Sequence, residues 1–143
     1  MLRVLNLVKV VSAFIFLGIL LLVYAYLPVM VEITPDQSLP KVQKEDWFYY
    51  AIAIFLMVNL FLFIIQKMTE PLIEREDIKA MLRGFAFVIN FYMTCLIGFV
   101  GVINNTTSVS LSSYAYLNFI GPVFIVGWIV GLIVVINSKA KTV

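Results

Sequence analysis

Few side chains in this sequence have the type and spacing to do chemistry. Asn59, Asn90 and Thr94 are polar residues set inside long apolar runs, and Glu32, Asp36, Glu45 and Asp46 share one short polar stretch. Amides and hydroxyls at membrane depth either bond helix to helix or line a path for an uncharged solute. The carboxylates raise the question of a hard cation. They are spread out, Lys41 and Lys44 are interleaved among them, and the chain has no histidine. That is the pattern of a solvated loop, so no metal and no cofactor are expected. Cys95 is the single cysteine. It cannot form an internal disulfide or a dithiol redox pair, and reads as a small packing residue.

The missing residues narrow the function further. Proton- or ion-coupled transport places ionisable groups inside the membrane, and the apolar runs contain none. The buried carboxylate expected in the first span of a small multidrug exchanger is absent. Without histidine there is no histidine-ligated haem or zinc and no histidine-based triad. The residues of a serine–lysine or paired-aspartate membrane protease are also missing at that depth. No catalytic residue is assigned, and neither an enzyme nor a nucleic-acid partner is expected.

The elements that position these residues are four apolar runs, at residues 10–31, 47–66, 85–103 and 117–136. Each is long enough to cross a hydrocarbon core of ~30 Å, which takes about 20 helical residues. The chain has 143 residues, 63% of them hydrophobic, with a mean hydropathy of +1.06. The runs lack the alternation of membrane β-strands, so each reads as a helix with its backbone bonds satisfied internally. The first run is longer than a signal-peptide core and ends without a small-residue cleavage site, which predicts an uncleaved span. The expected fold is all-α: one domain over residues 1–143, with four transmembrane helices in an antiparallel bundle.

Basic residues predict its orientation. Arg3, Lys9, Lys67, Arg75, Lys79, Arg83, Lys139 and Lys141 fall on one side, and only Lys41 and Lys44 on the other. The positive-inside rule then puts both termini in the cytoplasm. Tyr24, Tyr26, Trp47, Tyr49, Tyr50, Tyr114 and Tyr116 gather near the outer boundary, where amphipathic rings are favoured.

The connections carry less information. Pro28 kinks the first run or ends it early. In the loop after the second run, Thr69 is a candidate N-cap and Glu70 and Pro71 suit a first turn, which predicts a short interfacial helix leading into the third span. A docking surface for a cytoplasmic partner is the alternative there. The four basic and four acidic residues of that loop cancel, which argues against a clamp for anionic lipid. Asn104 and Asn105 each open a glycosylation sequon, with Thr106 and Thr107.

Helix faces supply the packing expectations. Ala86, Asn90, Thr94, Gly98 and Gly101 recur at helical spacing and give the third span a stripe of small and polar groups. Gly127 and Gly131 form a GxxxG pair in the fourth span. Asn59 and Gln66 share a face of the second. Asn59, at mid-depth, is expected to bond Asn90 or Thr94, which lie at similar height on the third span. Packing within the bundle explains these residues, and a polar lining for a small ligand or pore is the alternative.

The first hairpin, through Tyr26-Leu27-Pro28, Pro35, Pro40 and Trp47-Phe48-Tyr49-Tyr50, resembles a membrane domain found in Sdp-type immunity proteins. The chain is also similar to small four-span proteins of the Bacteroidota. The loop lacks the Pro-x-His element and later glycine of the immunity family, so no functional residue carries over. The resemblance implies a bacterial inner membrane and a non-enzymatic role. The expected function is an accessory or assembly subunit of a larger inner-membrane complex, with lipid and other membrane subunits as partners. A passive pore or carrier for a neutral or lipid-like solute is the alternative.

Overall fold

The computed structural model describes residues 2–35, 39–105 and 116–138. Four helices account for most of them: α1 (Leu2–Tyr26), α2 (Lys44–Thr69), α3 (Glu76–Ile103) and α4 (Leu117–Ser138). All four are long and apolar enough to cross a membrane, so the chain has the make-up of a multi-pass membrane protein.

The helix ends differ from the apolar runs for local reasons. α1 extends upstream of residue 10 as far as Leu2, the first described residue, because nothing in that stretch breaks a helix. It ends at Tyr26, before the expected limit of the run, because Pro28 disfavours helical geometry at Leu27 and supplies no N–H. The chain then turns into a two-stranded antiparallel ribbon. In it β1 (Met30–Val31) pairs Met30 with Gln43 and Val31 with Val42 of β2 (Val42–Gln43). The Lys44 N–H bonds the Val29 carbonyl at 2.9 Å and closes the ribbon onto the start of α2.

The expected short helix is reduced to one 3-10 turn. Thr69 stands at its N-cap position but makes no side-chain cap; its hydroxyl donates back to the Ile65 carbonyl at 2.8 Å, within the last turn of α2. A 3-10 turn over Glu70–Leu72, with Pro71 in it, ends α2. The later residues expected to form an interfacial helix are instead the first turns of α3. A 28-residue helix is ~42 Å long, about 12 Å more than the hydrocarbon core. The excess is about eight residues of rise, and all the charge of α3 lies between Glu76 and Arg83.

α3 is the central helix. It packs most extensively on α1 and α4, and α2 lies against both α1 and α3. Between α1 and α2, the rings of Phe16 and Phe55 stack at 4.0 Å. These two join Leu20, Leu27, Val31, Trp47, Ile97 and Val100 in the core of the ribbon half.

Candidate functional site: an intramembrane polar chain

The polar residues of three helices meet in one chain of hydrogen bonds. Asn59 Nδ2 donates to Asn90 Oδ1 at 2.9 Å and also to the Phe55 carbonyl one turn back at 3.0 Å. Asn90 Nδ2 donates to Ser12 Oγ at 3.1 Å, and the Ser12 hydroxyl donates to the Lys9 carbonyl at 2.7 Å. Asn90 is 0% exposed and Ser12 is 4% exposed. An unpaired amide at this depth would cost several kcal/mol (roughly 2–7), which is why the groups converge. Every buried side-chain nitrogen and oxygen among the described residues has a partner.

Asn59 therefore meets Asn90, one of the two partners that depth alone suggested. Thr94 stays out of the chain: its hydroxyl bonds the Asn90 carbonyl at 2.8 Å within α3. Ser12 was missed by the sequence reading. Its only signal is a hydroxyl in the first apolar run with no local role assigned. Gln66 shares its face with Asn59 as expected. It accepts from Lys9 Nζ at 3.2 Å and donates to the Leu82 carbonyl at 3.1 Å, so it too joins α1, α2 and α3.

The small residues separate into two groups. Ala86 is fully buried. A Cβ on Gly101 would lie 3.1 Å from a Val23 methyl, a true close approach between α3 and α1. A Cβ on Gly98 or Gly127 would meet nothing within 4 Å, and one on Gly131 would only touch Met81 at 3.4 Å. The tight contacts of α4 lie elsewhere: Tyr92 of α3 covers Gly121, and Trp128 covers Gly84. The Trp128 indole N–H donates to the Met81 carbonyl at 3.0 Å and fixes that ring in place.

Gly98 and Gly101 instead floor a cleft of about 550 Å³ at the ribbon end, between α1 and α3, that Tyr26, Pro28 and Asn104 also line. A second cleft, about 410 Å³, is apolar and lies among Trp47, Ile54, Met93 and Leu96. A third, about 390 Å³, lies against Phe124, Gly127 and Gly131. Asn59, Asn90 and Thr94 line none of these three.

Charged groups bracket the helices. At the ribbon end Lys41 pairs with Glu32 at 2.6 Å. Asn104 Oδ1 accepts from the Glu32 N–H at 2.8 Å, and its Nδ2 donates to the Glu32 carbonyl at 2.7 Å. The first sequon asparagine is thus engaged as a clip on the ribbon; Thr106 and Thr107 lie outside the described residues. At the other end Arg83 grips Glu70 through two bonds of 2.6 and 2.7 Å, and Lys79 pairs with Glu76 at 2.9 Å. Arg75 holds Asp77 and donates to the carbonyls of Val135 and Ile136 at 2.6 and 3.2 Å, capping the end of α4. Its hydrogen bond to Asp77 raises the guanidinium pKa above its ordinary value.

Among the described residues no three histidine, cysteine or carboxylate side chains form a group suited to a metal. Comparison of the chain with protein-family models, curated proteins and solved structures finds no match.

Proposed function

We propose that this chain is a small non-enzymatic subunit of a larger bacterial inner-membrane assembly, its successive spans antiparallel in a bundle and both termini in the cytoplasm. The observation that carries the reading is α4. It packs chiefly on α3, and Val123, Val126, Ile129, Val130 and Ile133 stand exposed, with Gly127 bare among them. A bare glycine beside a shallow cleft lets another helix approach closely. The pore or carrier reading has less support, because Ser12, Asn59 and Asn90 spend their polar groups on one another rather than on a path. The bacterial inner membrane rests on the resemblance of the first hairpin, and the orientation on the eight-to-two division of basic residues.

Gentle detergent extraction from native membranes, followed by native mass measurement, tests the role. A co-purifying membrane protein, lost on Gly127→Leu, is the expected result. A stable lone monomer would overturn the reading. Reporter fusions at Val143 and near Thr107 should give opposite answers; matching answers would refute the topology.

A further inference from the structure

The end of the molecule opposite the ribbon holds a cationic seat that the helix contacts use only in part and the proposed subunit role does not use: Lys9 reaches Gln66 and lies over the Phe63 ring of α2, 5.8 Å from its centroid. Lys9 of α1 is half-buried, and its ammonium donates to the uncharged Gln66 side chain at 3.2 Å. An ammonium has three donors, and Gln66 takes one. Arg83 spends Nε and Nη2 on Glu70 and makes no bond through Nη1 among the described residues. Gln66 also donates to the Leu82 carbonyl at 3.1 Å, which sets Lys9 beside the turn of α3 that carries Arg83. Arg83 takes up the Glu70 carboxylate, and Lys79 has its own partner in Glu76.

The sequence of the α2–α3 connection sums to zero charge, which argued against a lipid clamp. The geometry adds a cation from outside that connection. Glu70, Glu76 and Asp77 are each held by a basic residue of the same connection. Lys9 arrives from α1, outside that balance, and leaves one positive charge in excess. The height also fits. Arg83 stands where α3 outruns the hydrocarbon core, and the long Lys9 stem lets its ammonium reach the headgroup level.

We infer that Lys9 and the free edge of Arg83 bind a phosphate oxygen of an anionic phospholipid, seated between the start of α1, the end of α2 and the first turns of α3. A soluble phosphate offers the same oxygens, so the test separates the two sources. It does not depend on the subunit role.

The protein is placed in nanodiscs of phosphatidylcholine with a minority of phosphatidylglycerol, released into mild detergent, and its retained lipids are weighed. Phosphatidylglycerol should be enriched over its bulk share by about fivefold per contributing cation, and less so at high salt. Lys9→Arg should keep the enrichment, Lys9→Gln should lose most of it, and Lys67→Gln, at the exposed end of α2, should leave it unchanged. Equal retention of both lipids by the wild type overturns the inference, and so does an enrichment that salt or Lys9→Gln leaves intact. Should Lys9→Gln fail to fold, the wild-type enrichment and its salt dependence decide alone. In a separate arm, inorganic phosphate is titrated into phosphatidylcholine nanodiscs and followed by phosphorus NMR. Saturable phosphate binding without lipid enrichment would assign the seat to a soluble anion and overturn the lipid.

Discussion

Asn90 of α3 donates to Ser12 of α1 across 78 residues of sequence, at 3.1 Å. Val23 and Gly101, at the same offset further along, also touch. α1 and α3 therefore run side by side in the same direction. Asn59 and Gln66 of α2 meet Asn90 and Leu82 in reverse order, so α2 runs against α3. Asn90 is the point where both relationships are fixed, because its amide donates to one neighbour and accepts from the other.

Asn90→Leu should accordingly cost more than Asn59→Leu. It removes both interhelical bonds of a fully buried side chain, each worth ~0.6–2 kcal/mol in a membrane. Asn59→Leu removes one bond and leaves Asn90 Oδ1 without a donor. Thermal unfolding in detergent of the two single variants and the double variant would measure the coupling, expected at ~0.5–2 kcal/mol. Additive losses would mean that the 2.9 Å contact contributes nothing.

The glycines should divide by what lies across from them. A Cβ on Gly84 would come within 2.5 Å of the Trp128 ring. Gly84→Ala should displace the indole from Met81, destabilise by about 1–3 kcal/mol as overpacking does, and shift the tryptophan emission. Gly98→Ala meets open space and should be neutral, or stabilising by up to ~1 kcal/mol from helix propensity. The reverse ranking in melting temperature would contradict the packing described.

How much of this was legible in the sequence depends on what one helix can say about itself. Length and the absence of charge announced four spans, and depth paired Asn59 with the right helix. Periodicity places Gly98 on a face with Asn90 but does not say which helix covers that face, or whether its large side chains reach the glycine. The close contacts at Gly84 and Gly121 depend on Trp128 and Tyr92 from the facing helix, so no single-helix pattern contains them. Ser12 was passed over for the same reason: a lone hydroxyl in an apolar run acquires a role only once Asn90 lies beside it. The early end of α1 was present in Pro28, but the ribbon that follows required Val31 to find Val42.

Arg75 should hold the last turn of α4. Arg75→Ala frees the carbonyls of Val135 and Ile136 and should speed amide hydrogen exchange in that turn, with α2 unaffected. A cation whose pKa is raised on folding keeps its contribution below its ordinary value, which for a guanidinium lies far above neutral pH, and loses it only as pH rises beyond that. The protection conferred by Arg75, compared with Arg75→Ala at matched intrinsic exchange rates, should therefore be the same at neutral and mildly alkaline pH. A loss between the two would assign the cap to another group.

Asn104 is the clip between α3 and the ribbon, and its two opposed bonds to the Glu32 backbone copy a strand pairing. Asn104→Ala removes both and should destabilise by about 1–2 kcal/mol, as loss of two ordinary hydrogen bonds does. Asn104→Asp is the more discriminating change. A carboxylate can still accept from the Glu32 N–H, but it has no donor for the Glu32 carbonyl and faces that oxygen with a negative charge. Lys41 is already committed to the Glu32 side chain at 2.6 Å, so it is poorly placed to compensate. Asn104→Asp should then be no more stable than Asn104→Ala at neutral pH, and should recover part of the loss under acid, when the new carboxyl is protonated and can donate. Proteolysis within residues 27–43, read against pH for the two variants, would show this. If Asn104→Asp behaved like the wild type at neutral pH, the Nδ2 bond to Glu32 would not be what holds the ribbon down.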